Sequence, residues 1–147
     1  MRRFGLLLHI SSLPSACGIG DLGPAAHAFV DLLAASGAKV WQFLPTTPTS
    51  VFIGNSPYSS PSAFAGNPLF ISPEVLAADG LVSPADLDCV NCCVPEALHH
   101  HADRVNFAAV SRHREHLLRA TFERNAHHLS DNPDFTTFCR RHEHWLL

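Results

Sequence analysis

Apolar residues crowd into short dense runs early in the chain and spread into spaced stripes later. Phe4 to His9 has few polar breaks, the pattern of a strand buried on both faces of a parallel sheet. Ile10 to Gly23 follows as a loop containing Gly18, Gly20 and Gly23. Pro24 suits a first helical position and Gly37 a position just past a helix end. Between them Ala26, Phe29, Val30 and Leu33 recur at helical spacing and predict one apolar stripe. Val40 to Leu44 reads as a second buried strand, closed by Pro45. Strand, helix and strand in this order predict a βαβ unit with a right-handed crossover in a parallel sheet.

The texture changes after residue 70. Ser72-Pro73-Glu74 predicts a helix start with serine as cap, and Gly80 stops it. Ser83-Pro84-Ala85-Asp86 repeats that pattern, and residues 88–103 have no clear period and read as a variable loop. Phe107 to Arg124 predicts a longer helix with Val110, Leu117, Leu118 and Phe122 along one side. Asn132-Pro133 opens a last helix, on which Phe135, Phe138, Cys139, His142, Trp145 and Leu146 keep the i, i+3, i+4 spacing. That helix carries no stop signal before Leu147, so the sequence is expected to be the front part of a longer protein.

Composition narrows the classes. At 147 residues, 46% hydrophobic and 16% charged, the chain can bury a core and is not a disordered tail. The ten Lys and Arg are dispersed and the net charge is −3, which gives neither a nucleic-acid patch nor a membrane-surface patch. No apolar run approaches membrane-spanning length. Eleven histidines should turn the net charge positive in mild acid. Five cysteines, odd in number and irregularly spaced, argue against a disulfide framework. Met1-Arg2-Arg3 with the apolar run and Ser15-Ala16-Cys17 has the outline of a lipoprotein signal. His9 cuts the run short and Pro14 sits at the supposed cleavage region, so a cytoplasmic location is expected.

The candidate chemistry sits in the two loops that follow the strands, because parallel α/β folds place ligands at the carboxyl ends of strands. This placement sets Asp21 and Tyr58 on one face of the sheet. The second loop is Asn55-Ser-Pro-Tyr-Ser-Ser-Pro-Ser-Ala-Phe-Ala-Gly-Asn-Pro68, whose prolines, glycine and serines forbid a long helix or central strand. Its Tyr58 and Phe64 suit stacking on a neutral polar ligand, or else the interior of a packed Ω-type loop. Asp21 has two open roles, binding a ligand hydroxyl or bonding backbone amides of its own turn. His9, at the end of the first strand, is either a site residue or a core histidine bonded to a carbonyl. His127 and His128 read as an exposed helix end.

Acid–base chemistry on a glycosidic bond needs two carboxylates about 5–10 Å apart. Within residues 1–72 the acidic side chains are Asp21 and Asp31, and Asp31 belongs to the first helix, so no pair assembles there. Cys89-x-x-Cys92-Cys93 with His99, His100 and His101 has donors that suit zinc, but no second CxxC accompanies it, and a surface loop explains the same residues. Cys17 has no histidine that the sequence places beside it, so a thiol nucleophile is unsupported.

Four segments in order carry a family resemblance: Gly5-Leu-Leu-Leu-His-Ile-Ser-Ser-Leu-Pro14, Gly18-Ile-Gly-Asp-Leu-Gly-Pro24, Trp41-Gln-Phe-Leu-Pro45, and Asn55 to Leu69. With them the chain resembles the 4-α-glucanotransferases, also called amylomaltases or disproportionating enzymes, most strongly over residues 3–82. The resemblance implies an α/β fold: residues 1–71 start a (β/α)₈ barrel and residues 72–147 form a mostly helical insertion. It implies transfer of α-1,4-glucan segments by a retaining double displacement, on maltooligosaccharides or amylose, without metal or organic cofactor. It assigns Tyr58 to the sugar beside the scissile bond, Ser56 and Pro57 to the shape of that subsite, and Asp21 and His9 to the strand ends. The family's catalytic carboxylates have no counterpart in these residues, so the chain alone is expected to be inactive. The competing expectation is a non-catalytic module that binds glucan or a partner protein.

Overall fold

The computed structural model describes residues 3–83, 86–87 and 104–146. The expected βαβ unit is present. β1 (Gly5–Leu7) and β2 (Val40–Gln42) pair in parallel, with Gly5 opposite Val40 and Leu7 opposite Gln42. Ladder bonds continue past both ends, from the Lys39 N–H to Phe4 O and from the Leu8 N–H to Gln42 O. α1 (Pro24–Ala35) makes the crossover, with Pro24 at its first turn and Gly37 at φ +80° just beyond it. That left-handed conformation is one that glycine adopts without a Cβ clash, which explains the stop.

The strands are not buried on both faces, contrary to their hydrophobic pattern. Gly5, Leu6 and Leu7 are all exposed, as are Val40 and Phe43. The sheet has two strands among the described residues. Trp41 is the main exception: its Nε1–H donates to Leu8 O at 2.8 Å, and its ring meets Phe29 and Phe43 edge-on. On α1 the buried positions are Ala26 and Leu33, with Phe29 half-buried, while Val30 lies outside the buried stripe.

α2 (Pro73–Ala78) begins where expected and ends before Gly80, at φ +73°. Ser72 holds the cap position, but its buried hydroxyl does not bond the helix's free N–H groups. Ser83 and Asp86 do form a reciprocal capping box. α3 (Phe107–Ser130) is longer than the apolar pattern predicts, capped by Asn106, whose side chain accepts from the Ala109 N–H at 3.0 Å. It carries His127 and His128 exposed in its last turn. α4 (Pro133–Leu146) starts at Asn132, whose Oδ1 accepts from the N–H groups of Asp134 and Phe135. None of its side chains is fully buried, and of its apolar stripe Cys139, His142 and Trp145 are half-buried while Phe135, Phe138 and Leu146 are exposed.

Two core clusters join these elements. The larger unites Ile10, Ile19, Leu69 and Phe70 with Val110 of α3, flanked by Trp41, Val105 and Phe107. The smaller packs Val82 on Leu117, beside Cys17 and Leu76. α3 buries Val110, Arg114 and Leu117, spaced four and then three residues apart on one helix face. The sequence stripe missed the middle member, which is charged.

Candidate functional site

The loop after β2 is held in shape by its own short-range bonds. Ser50 caps a single 3₁₀ turn at Val51–Ile53. Gly54 and Asn55 then take successive left-handed conformations, at φ 68° and 54°. The Asn55 N–H returns to Ser50 O at 2.8 Å, closing that turn. Ser56 Oγ accepts from the Tyr58 N–H, and Ser62 Oγ accepts from the N–H groups of Phe64 and Ala65. At the base, the Asn67 N–H donates to Thr46 O and its side-chain amide to Thr49 Oγ1. Asn67 Oδ1 meanwhile accepts from the Leu69 N–H at 3.0 Å, so one buried amide ties both ends of the loop.

This bracing leaves Tyr58 74% exposed at the surface, with Ser56 and Pro57 half-buried behind it. The phenol is free to stack and its hydroxyl free to hydrogen-bond. Phe64, the other loop aromatic, has a protein partner. Its ring lies nearly parallel to Trp145 of α4 (19°, centroids 6.2 Å apart) and edge-on to His144.

Asp21 and His9 occupy a different setting. Asp21 is 7% exposed; its Oδ1 accepts from the Gly23 N–H at 2.9 Å, and its Oδ2 faces Arg114 of α3 at 3.7 Å. Burial pushes its pKa up, opposed by the charge of Arg114 and by its hydrogen bonds. Arg114, 2% exposed, also donates to Ile71 O. Burial lowers its pKa, and the charge of Asp21 opposes that. A Cβ at Gly23 would come 2.7 Å from Asp21 Oδ1, so the turn requires glycine there. Asp21 makes the bond to its own turn, and its carboxylate is buried.

His9 is half-buried and packs edge-on against Phe70, centroids 5.5 Å apart. Its Nδ1 is buried without a hydrogen-bond partner among the described residues, so the expected carbonyl bond is not made there. Burial lowers its pKa, which keeps the ring neutral near pH 7. Cys17 is half-buried, and burial raises its pKa, so it is a thiol and not an activated thiolate.

The strand ends thus divide their residues into an exposed set, Ser56, Pro57 and Tyr58, and a packed set, His9 and Asp21. Cys89, Cys92, Cys93 and His99 to His101 lie outside the described residues. Among the described residues no group of three His, Cys, Asp or Glu is placed to hold a metal ion. Sequence reasoning missed Arg114 and Asn67, the two side chains that fasten the loops. An arginine within an otherwise apolar helical stripe was the available signal for the first.

Comparison with known proteins aligns with this geometry. The family model described as 4-alpha-glucanotransferase (Glyco_hydro_77) matches residues 8–147. A 4-alpha-glucanotransferase of Aquifex aeolicus is 41% identical over 148 residues, covering 99% of this chain and 27% of its own length. One from Thermus thermophilus is 49% identical over 85 residues, covering 58% of this chain. Among solved structures, amylomaltase from Streptococcus agalactiae in complex with acarbose superposes with a TM-score of 0.79 at 34% identity, covering 97% of this chain and 27% of that one. The chain spans about a quarter of the length of these curated relatives that it matches along nearly all of its own length.

Proposed function

Because the chain belongs to the 4-alpha-glucanotransferase family, we propose that it is the substrate-side portion of an enzyme moving α-1,4-glucan segments between maltooligosaccharides or amylose chains. In this reading β1, α1 and β2 open a (β/α)₈ barrel within residues 1–71, and residues 72–147 form a helical insertion on it. The parallel pair joined by a helix supports that placement, as do strand faces left open for further cover. The proposed site is cytoplasmic and uses no metal or organic cofactor.

The observation that carries the reading is Tyr58, held three-quarters exposed on a braced loop at the carboxyl end of β2. A rigid phenol presents a face to the apolar side of a pyranose ring and a hydroxyl to its rim. Ser56 and Pro57 fix the backbone beneath it. Asp21 and His9 act behind this surface, shaping the neighbouring loop. A retaining transfer requires a carboxylate nucleophile and a carboxyl acid/base about 5–5.5 Å apart. In the proposed mechanism both come from outside these residues. Supporting this, Asp21 is turned toward Arg114, Asp86 bonds Arg124 at 2.8 Å, and Glu115 pairs with Arg119.

Two measurements on the purified chain test the proposal. Maltohexaose should shift amide resonances of residues 55–60 in an NMR titration, and Tyr58→Ala should weaken that binding by about tenfold, the loss of one stacking contact of about 1–1.5 kcal/mol. Incubation with maltotriose should release no glucose. Absence of binding would sink the glucan assignment, and glucose release would sink the claim that the carboxylates lie elsewhere.

A further inference from the structure

The loop that carries Tyr58 is stiff within itself and lightly tied to its surroundings. The Ser59 N–H returns to Ser56 O at 3.2 Å and closes a turn around Pro57 and Tyr58. Ser60 Oγ donates to Ser62 O at 2.7 Å, and Ser62 Oγ accepts from the N–H groups of Phe64 and Ala65. Pro57 and Pro61 fix their own φ angles between these bonds. Among the described residues, every hydrogen bond of residues 56–65 ends within residues 53–65. Hydrogen bonds therefore fasten this unit only at its two ends, through Asn55 to Ser50 and through Asn67 to Thr46. Between those ends it is free to swing as one piece unless packing holds it.

What meets the unit there is α4. The Phe64 ring lies nearly parallel to Trp145 and edge-on to His144, at centroid distances of 6.2 and 5.7 Å, both favourable for aromatic pairs. Phe64 stays 67% exposed, so this is one ring docked on another and not a side chain sunk in a core. Neither ring belongs to the two core clusters. Trp145 is itself oriented from within α4. Its Nε1–H donates to His142 Nδ1 at 3.1 Å, three residues back on the same helix face. The His142 ring in turn lies against Phe138, centroids 4.6 Å apart. A short line of rings thus runs along α4 and ends on the loop of Tyr58.

We propose that Trp145 is a positioning residue for Tyr58: docked on Phe64, its ring holds the 56–65 unit in the orientation that presents the phenol to a glucan. The inference rests on the glucan reading of Tyr58 and adds to it a residue that touches no sugar. Released from Trp145, the unit spends part of its time in other orientations, and binding weakens by the fraction lost from the presenting one. Phenylalanine at the same position keeps a ring on Phe64 and gives up only the bond to His142.

The test is a maltohexaose titration of the 147-residue chain by amide NMR, with backbone order of residues 56–65 measured on the free proteins. It compares wild type with Trp145→Ala, Trp145→Phe, Phe64→Ala and the double alanine variant. Trp145→Ala and Phe64→Ala should each weaken binding about fivefold and lower the order of the loop amides. The double variant should bind no more weakly than either single one, because both rings act through one contact. Trp145→Phe should stay within about twofold of wild type. The urea midpoint read by Trp41 should be the same in Trp145→Ala and Trp145→Phe. A lower midpoint in Trp145→Ala, together with weaker binding, would make the residue structural and overturn the positioning role. Unchanged binding or unchanged loop order in Trp145→Ala, or additive losses in the double variant, would also overturn it and leave the Tyr58 reading standing. A wild type without maltohexaose shifts would overturn the glucan reading and the role built on it.

Discussion

Arg114 is where a single substitution should do most damage, and the structure sets the size of the effect. Its guanidinium is 2% exposed, donates to Ile71 O and stands 3.7 Å from Asp21 Oδ2. At an effective dielectric of about 20, two unit charges at that separation attract by about 4.5 kcal/mol. Burial opposes this on both partners, raising the pKa of Asp21 and lowering that of Arg114, so the net worth of the pair is small. Breaking it is another matter. Arg114→Met leaves a buried carboxylate that keeps the Gly23 N–H bond but loses its facing cation, and should cost about 3 kcal/mol near pH 7. Asp21→Asn in the same chain removes the stranded charge and should recover about half of that loss. The loss also has a pH signature. Without Arg114 the folded-state pKa of Asp21 rises further above its unfolded value, so the folded chain binds that proton more tightly. Stability of the variant then improves as pH falls through the folded pKa toward the unfolded one, and its deficit shrinks at about pH 5. Urea unfolding of the four members of the cycle, at both pH values, measures all three effects. A deficit below about 1 kcal/mol, or strict additivity of the two substitutions, would refute the reasoning.

Burial holds His9 and His113 below the ordinary histidine range, with Arg114 and His116 adding to the effect at His113. Protonating either ring favours the unfolded chain, so their contribution is complete above about pH 6.5 and is lost as pH falls below it. Tm should drop between about pH 7.5 and 5.5, and a drop of the same size in His9→Gln/His113→Gln would assign it to other groups. Asn106→Ala removes the side-chain acceptor for the Ala109 N–H and should destabilise the chain by about 1 kcal/mol in urea melts, whereas Asn106→Asp should be nearly neutral. Trp41 is bonded into the sheet, while α4, which carries Trp145, has no buried side chain. In the single-tryptophan variants Trp145→Phe and Trp41→Phe, fluorescence of Trp145 should therefore change at lower urea than that of Trp41, and coincident curves would show one cooperative unit.

The elements that local chemistry dictates were readable in the sequence. Pro24 and Gly37 bound α1, Gly80 follows α2, and Asn132-Pro133 opens α4, because each residue acts through its own backbone. The Tyr58 loop was readable for the same reason: its serines bond N–H groups two or three residues away. What escaped depends on meetings across the chain. The apolar runs of β1 and β2 encode strands, but the pattern says nothing of what covers them, and their faces stand open. Phe64 carried the same composition signal as Tyr58, yet it is matched by Trp145, far along the chain. Arg114 was hidden because its polarity excluded it from a stripe to which its position, between Val110 and Leu117, assigned it.

That arginine also bears on the expected division at residue 71. The larger core cluster draws Ile10, Ile19, Leu69 and Phe70 from before that point and Val110 from after it. Arg114 crosses in the same direction, to Ile71 O and to Asp21. A buried guanidinium is tolerable only where a carbonyl and a carboxylate both meet it, so the register of α3 against the loop of Asp21 is tightly constrained. Sliding α3 by one residue would strand two charges at once. The loop that presents Tyr58 ends at Asn67, immediately before the Leu69–Phe70 pair on which Val110 packs. The proposed sugar-binding surface therefore owes its position to a helix of the proposed insertion. Substitutions on the inner face of α3 should be felt at Tyr58 although they touch neither the tyrosine nor its loop.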